Sequence, residues 1–289
     1  MDFRSRGNDN ALPLTYSQMI DPHSFREFEH SGWQGIPQQY HQAFGELTTQ
    51  SIEPLLDAAG VKAGTKVIDI ASGPGYVAAA AARRGATVIG VDFSAAMVAE
   101  AQRRNPKLEF REGDAEQLPL GDDLFEAAVM NFGILHLARP DQALAEACRV
   151  LCTGGRFGFT VWAKPDEAIG FGIVLRSIAA HGDPNVPLPE GPPFFRFSEP
   201  DECVRSLHAA GFESPKVVKV PQTWRLPAVD SLFEFMKEST VRTAGLLRAQ
   251  KPEVLERICD AMRDESKQYQ KGNAIELPMP AILASGMKP

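Results

Sequence analysis

Four cysteines in 289 residues, none of them in a CxxC pair, leave little from which to build a disulfide framework or a thiolate metal centre. Cys148, Cys152, Cys203 and Cys259 read as small hydrophobic side chains, and Cys148 and Cys152 merely stand one helical turn apart. No cluster of His, Cys and Asp has ligand spacing, so no metal is expected. Long apolar runs are missing as well: nothing approaches the roughly 18 residues of a membrane span, and the opening "MDFRSRGNDN" has no apolar signal core. A cytoplasmic protein is expected. Positive charge is in deficit, with 30 Lys and Arg against 37 Asp and Glu, a net of −7. Such a surface repels the phosphates of nucleic acid and of anionic membranes, so neither is an expected partner. Repeats and low-complexity tracts are also lacking.

What the chain does have is an alternation. Between residues 66 and 162, short apolar runs at 66–70, 87–92, 108–112, 125–131 and 156–162 alternate with helical periods at 77–84, 95–105 and 141–151. This is the pattern of a parallel sheet with crossover helices, an α/β core whose ligand site lies at the carboxyl ends of the strands. Ser94 caps the second of these helices and Pro106 stops it. Gly85, Gly154 and Gly155 stand where a helix is expected to leave through positive φ.

The flanks are less regular. Residues 1–60 carry an aromatic and histidine scatter of Tyr16, His23, Phe25, Phe28, His30, Trp33, Tyr40, His41 and Phe44. Beyond Trp162 come a helix near 167–181 and the proline-rich "HGDPNVPLPEGPPFFRFSEP", which reads as a rigid apolar loop. Ser198 with Asp201 suggests a capping box for a helix ending at Gly211. "SPKVVKVPQTWRL" suggests a strand, 229–249 and 252–270 suggest helices, and "AILAS" a final strand. Phe194, Phe195 and Phe197 suit either an acceptor wall or the filling beneath the loop. The arginine pairs Arg83-Arg84 and Arg103-Arg104 close helices and read as solvated dipole partners.

The chemistry concentrates in "VIDIASGPGYVAAAAARRGATVIGVDFS", residues 67–94. Gly73 and Gly75 follow a strand and open a helix, so backbone N–H groups can approach a ligand closely. Gly73, Gly75 and Ala78 equally fit a dinucleotide fingerprint, which keeps a nicotinamide-dependent oxidoreductase open as an alternative. Asp69 argues against it: a carboxylate at the strand end repels a diphosphate and attracts a cation. S-adenosylmethionine is such a cation and has no phosphate. Asp69 would face its ammonium end, and Asp92, at the next strand end, its ribose hydroxyls.

The segment 66–162, about a third of the chain, resembles the class I S-adenosylmethionine-dependent methyltransferases, in the small-molecule group that includes ubiquinone and menaquinone C-methyltransferases. "DIASGPG" is similar to that family's first motif, with Asp69, Ala71, Gly73, Pro74 and Gly75. "GVDFS" is similar to the second, where the resemblance implies ribose binding by Asp92 and adenine packing by Phe93 and Met97. "GDAEQLPL" is similar to the third, implying adenine contacts from Gly113, Asp114 and Ala115. "MNFGILHL" falls where the family lines the methionine moiety and acceptor, nominating Asn131, Phe132 and His136. "RVLCTGGRF" is similar to the turn into strand five. Ala71-Ser72 replaces a frequent Gly-Cys, a small departure. The Asp/Asn-Pro-Pro-aromatic element of amino-methylating nucleic-acid enzymes is lacking.

The resemblance implies a Rossmann-like seven-stranded sheet in the order 3-2-1-4-5-7-6, helices on both faces, and a last strand running antiparallel. It implies an N-terminal helical lid over 1–60, with Tyr40 on the cofactor and Trp33 toward the acceptor. A methyltransferase domain is expected over 61–289, with acceptor-cap insertions at about 164–212 and 228–271. The acceptor would be a small aromatic or apolar metabolite, methylated on O, N or C, and the protein is a candidate homodimer. His136 is the leading candidate base, with a hydrogen-bonded wall residue as the alternative. A SAM-binding regulatory protein without methyl transfer is the second functional reading.

Overall fold

The computed structural model describes residues 21–289; Tyr16 and the first part of the expected lid lie outside the described residues. Helices α1 (Pro22–Gly35), α2 (Pro37–Thr48) and α3 (Ile52–Ala58) lead into the sheet. Val67, Ile68 and Ile70 are fully buried, as are Ala127 to Met130, the condition of strands covered on both faces. They belong to β1 (Lys66–Ile70) and β4 (Phe125–Asn131), which pair in parallel at the centre of a seven-stranded sheet. Around them run β2 (Thr87–Asp92), β3 (Glu109–Glu112), β5 (Leu151–Trp162), β6 (Glu213–Val220) and the closing β10 (Ala281–Met287). The order β3-β2-β1-β4-β5-β10-β6, with β10 antiparallel to both neighbours, is the expected one.

Crossovers α4 (Tyr76–Arg83), α5 (Ala95–Arg104) and α6 (Pro140–Val150) follow β1, β2 and β4. The run of small residues in α4 lets it lie close to the sheet, with Ala78 and Ala81 wholly buried. Ser94 caps α5 as expected, accepting from Met97 N. Past β5 come α7 (Ile169–His181) and α8 (Pro200–Ala209), then β7 (Thr223–Leu226), α9 (Ser231–Glu238), α10 (Arg242–Arg248) and α11 (Pro252–Ser266). β8 (Gln270–Lys271) and β9 (Ala274–Pro278) complete a second, three-stranded sheet of order β7-β9-β8.

Several expectations need correction. The capping box at Ser198 does not form, because its hydroxyl donates to Trp162 O and Pro200 occupies the first helical turn. "SPKVVKVPQTWRL" is two strands in two sheets, parted at Pro221-Gln222, where Gln222 Nε2 donates to Leu47 O. The helix expected over 229–249 breaks between α9 and α10, and Thr240 Oγ1 there caps Ala244 N. α6 passes straight into β5, so the left-handed Gly154 marks a kink within the strand, and Gly155 is not left-handed. Arg84 is no solvated dipole partner, since it joins Glu53, Asp57 and Val61 O.

Candidate functional site

Where β1 ends, the backbone turns sharply over residues 71–75. Ala71, Gly73 and Gly75 all take left-handed φ, at 54°, 50° and 81°. The two glycines differ in purpose. A Cβ on Gly75 would strike the Phe110 ring at 2.7 Å, whereas one on Gly73 would meet nothing within 4 Å. Gly75 thus shapes the turn, and Gly73 leaves space on the open side. Phe132, past the end of β4, is also left-handed at 56° and stacks on Trp162 at 4.0 Å. Non-glycine residues held in this region mark a backbone fixed by its surroundings.

These turns open into a cleft of about 1170 Å³, counting its solvent-open mouth. Its floor is acidic. Asp69 is 1% exposed; one oxygen accepts from Ala78 N at 2.9 Å, while Oδ1 has no partner among the described residues. Ser72 Oγ beside it is likewise buried without a partner there. Burial pushes the Asp69 carboxyl up to about 8, with Asp92 adding to the rise and the Ala78 N–H only partly opposing it. The fixed negative charge expected at this position is therefore largely neutralised at pH 7. Asp92 is pushed up to about 6, again by burial, against the N–H groups of Ser94 and Gly73.

Most of the expected residues meet here. Ala71, Gly73, Pro74, Phe93, Met97, Gly113, Asp114 and Ala115 line the cleft with the two aspartates. Tyr40 and Trp33 cover it from α2 and α1, meeting edge to face at 5.4 Å. Asn131, Phe132, His136 and Phe194 line the other half together with Trp162 and Phe171. Two of these side chains are already engaged. Asn131 ties the end of β4 to Thr48 O, Ser51 and Thr160. Asp114 accepts from Arg26 of α1 at 2.6 Å.

Gly75, Phe195 and Phe197 are not on the cleft wall. Phe195 packs behind it against Phe171 and Phe194, and Phe197 sits in the core, 3% exposed, edge-on to Phe159. Sequence reasoning missed Glu29, Arg26 and Arg242. Glu29 left a signal: with Phe25 and Trp33 it forms the i, i+4, i+8 buried face of α1, on which it alone is charged. Arg242 left none.

Residues 68–159 match the family described as the methyltransferase domain. That span runs from within β1 to near the end of β5 and includes Asp69, Asp92 and Asn131. Over that span the chain is similar to methyltransferase domains. The demethylmenaquinone methyltransferase of Beutenbergia cavernae is 40% identical to this chain over 121 residues, 40% of this chain and 50% of the relative. The chain spans about half the length of the curated relatives it matches. Among solved structures, the YcgJ protein of Bacillus subtilis superposes with a TM-score of 0.53 at 22% identity, covering 82% of this chain and 97% of its own. Phosphoethanolamine N-methyltransferase 2 of Haemonchus contortus, solved with S-adenosyl-L-methionine, gives 0.57 at 17% identity over 92% of this chain and 60% of its own. Both likenesses show that the shared fold extends well beyond the matched segment. Among the described residues, no helix is long and apolar enough to cross a membrane and no cluster of His, Cys, Asp and Glu could hold a metal ion.

Proposed function

We propose that this protein is an S-adenosylmethionine-dependent methyltransferase acting on a small aromatic acceptor. The observation that carries the reading is the buried, unpartnered Asp69 Oδ1 and Ser72 Oγ, set beside a glycine turn in a cleft whose far half is aromatic. A buried polar atom without a partner is costly, and a cationic, hydrogen-bonding guest relieves it. The residues present fit the donor: Asp69 and Ser72 for its ammonium end, Asp92 for the ribose hydroxyls, Phe93 and Met97 for the adenine. A pyrophosphate would bring further negative charge beside the ionised Asp92, which counts against a nicotinamide cofactor.

The donor supplies a methyl group already activated on a sulfonium. The work left to this chain is to hold the acceptor in line and keep water out, a positioning effect on the order of 7–11 kcal/mol. Phe132, Trp162, Phe171 and Phe194 offer flat apolar walls for an aromatic ring, and α1 and α2 roof the cleft as a lid. The demethylmenaquinone methyltransferase name of the relatives supports a quinol-like acceptor. The reading includes a cytoplasmic location and no nucleic-acid partner, supported by the net charge of −7.

The test is direct. Incubated with S-adenosylmethionine and a panel of reduced naphthoquinones, phenols and amines, the protein should add one methyl group to a quinol or phenol, read by mass spectrometry. Tight donor binding with no methylated product from any acceptor would favour a regulatory SAM-binding role instead.

A further inference from the structure

Glu29 is fully enclosed, and three side chains from three parts of the chain converge on its carboxylate. Trp33 Nε1 donates at 3.0 Å from the same helix, Arg242 Nε donates at 2.9 Å from α10, and His136 Nδ1 lies at 3.1 Å in the turn after β4. Burial alone would push this carboxyl up; the charges and hydrogen bonds of His136 and Arg242 more than offset it and hold it below the ordinary range. An ionised carboxylate has no hydrogen to give. Nδ1 of His136 must therefore carry one, and in the neutral imidazole the lone pair is then on Nε2.

The rest of the cluster locks this arrangement. Arg242 also donates to Pro192 O and Leu135 O, and its guanidinium lies over the rings of Phe25 and Phe194 at 4.3 and 5.6 Å. His136 meets the Trp33 ring edge to face at 4.8 Å and lines the cleft. Arg242 supplies the counter-charge for Glu29. The imidazole is thus oriented by a carboxylate whose charge the guanidinium already counters.

We propose that Glu29 is a positioning residue that fixes His136 as the Nδ1-protonated tautomer, so that Nε2 takes the proton from a hydroxyl-bearing acceptor in the cleft. This rests on the methyltransferase reading above. In the step, the acceptor O–H bond breaks and its proton passes to Nε2. The phenolate pair, on oxygen or on the adjacent ring carbon, forms the new bond to the methyl carbon, and the carbon–sulfur pair returns to sulfur. After attack at carbon, the ring regains aromaticity by moving its own proton to oxygen. His136 ends as an imidazolium against Glu29 while the sulfonium charge disappears, so positive charge within the cleft is conserved. Because Glu29 belongs to α1, the base is complete only with that helix seated.

Two measurements test this. In ligand-free protein labelled with ¹⁵N-histidine, two-bond proton–nitrogen spectra should show His136 protonated on Nδ1 and bare on Nε2, with the signal assigned by its loss in His136→Gln. With S-adenosylmethionine and 1,4-naphthohydroquinone, Glu29→Gln and His136→Gln should each lower kcat on the order of 100-fold. KM and the Kd for S-adenosylhomocysteine should stay within about twofold, and the double variant should be no slower than His136→Gln. A wild-type His136 protonated on Nε2, or a His136→Gln variant with unchanged kcat, overturns the proposal. Should Glu29→Gln fail to fold, those two results decide alone. Wild-type protein that methylates nothing sinks the methyltransferase reading, and the base with it, whatever the tautomer. That failure is distinct from a reversed tautomer in an active enzyme.

Discussion

Two carboxyls held above their ordinary range dominate the cleft at the scale of single residues, Asp69 at about 8 and Asp92 at about 6, with burial the main cause in both. Folded protein then binds more protons than unfolded protein at these positions, so the empty protein loses stability as pH rises from about 4 to about 8. A cationic guest favours the ionised carboxylates. Its binding should release up to about one proton near pH 7 and tighten as pH rises between about 6 and 8. Calorimetry of S-adenosylhomocysteine in buffers of different ionisation heat reads this proton directly. Asp69→Asn keeps an acceptor for Ala78 N but should abolish most of the release and weaken binding by about 1–3 kcal/mol, the scale of a hydrogen bond to a charged group. Asp92→Ala should weaken it by a similar amount, and unchanged affinity would remove Asp92 from the site. The aspartates were legible in the sequence because they stand at strand ends beside glycines. Their protonation was not, because desolvation depends on what folds over them.

For whole elements, the turn from β1 into α4 separates two roles that look identical in the sequence. Gly75→Ala forces a left-handed alanine onto Phe110 and should cost about 1–3 kcal/mol of stability, read as a fall in Tm with either ligand state. Gly73→Ala places its methyl in open space and should cost less stability than Gly75→Ala, yet lower donor affinity more. If the two variants melt alike and bind alike, this division of labour is wrong. The parallel core was readable because β1, β2, β4 and β5 are apolar runs closed by helix caps and glycines. The outer elements were not. β7, β8 and β9 are short and alternate weakly, and the split of α9 from α10 turns on a single hydroxyl, Thr240 Oγ1, which accepts from Ala244 N. Likewise Ser198 obeys a local capping rule in sequence but is drawn off by Trp162 O, a partner 36 positions away.

For the molecule as a whole, the cleft is built from parts of unequal stability. Its floor rests on the buried β1 and β4, while its roof is α1, which buries only Phe25, Glu29 and Trp33 and adds a few polar links. Gln34 Oε1 accepts from Ser94 Oγ and Ala96 N, Arg26 pairs with Asp114, and Glu29 with Arg242. The Arg26 side chain is 41% exposed, so that pair is worth about 1 kcal/mol or less. Local opening of α1 should therefore cost far less than global unfolding. A ligand that binds only the closed form stabilises it by about 2.7 kcal/mol at 100 times its Kd. Hydrogen exchange should accordingly slow by on the order of 100-fold at the amides of α1 when S-adenosylhomocysteine is added, while β1 and β4 exchange at the global limit. Arg26→Ala and Gln34→Ala should speed exchange of α1 in the empty protein without changing β4. Equal protection of α1 with and without ligand would mean that the roof is a fixed wall, and that donor and acceptor reach the cleft by another route.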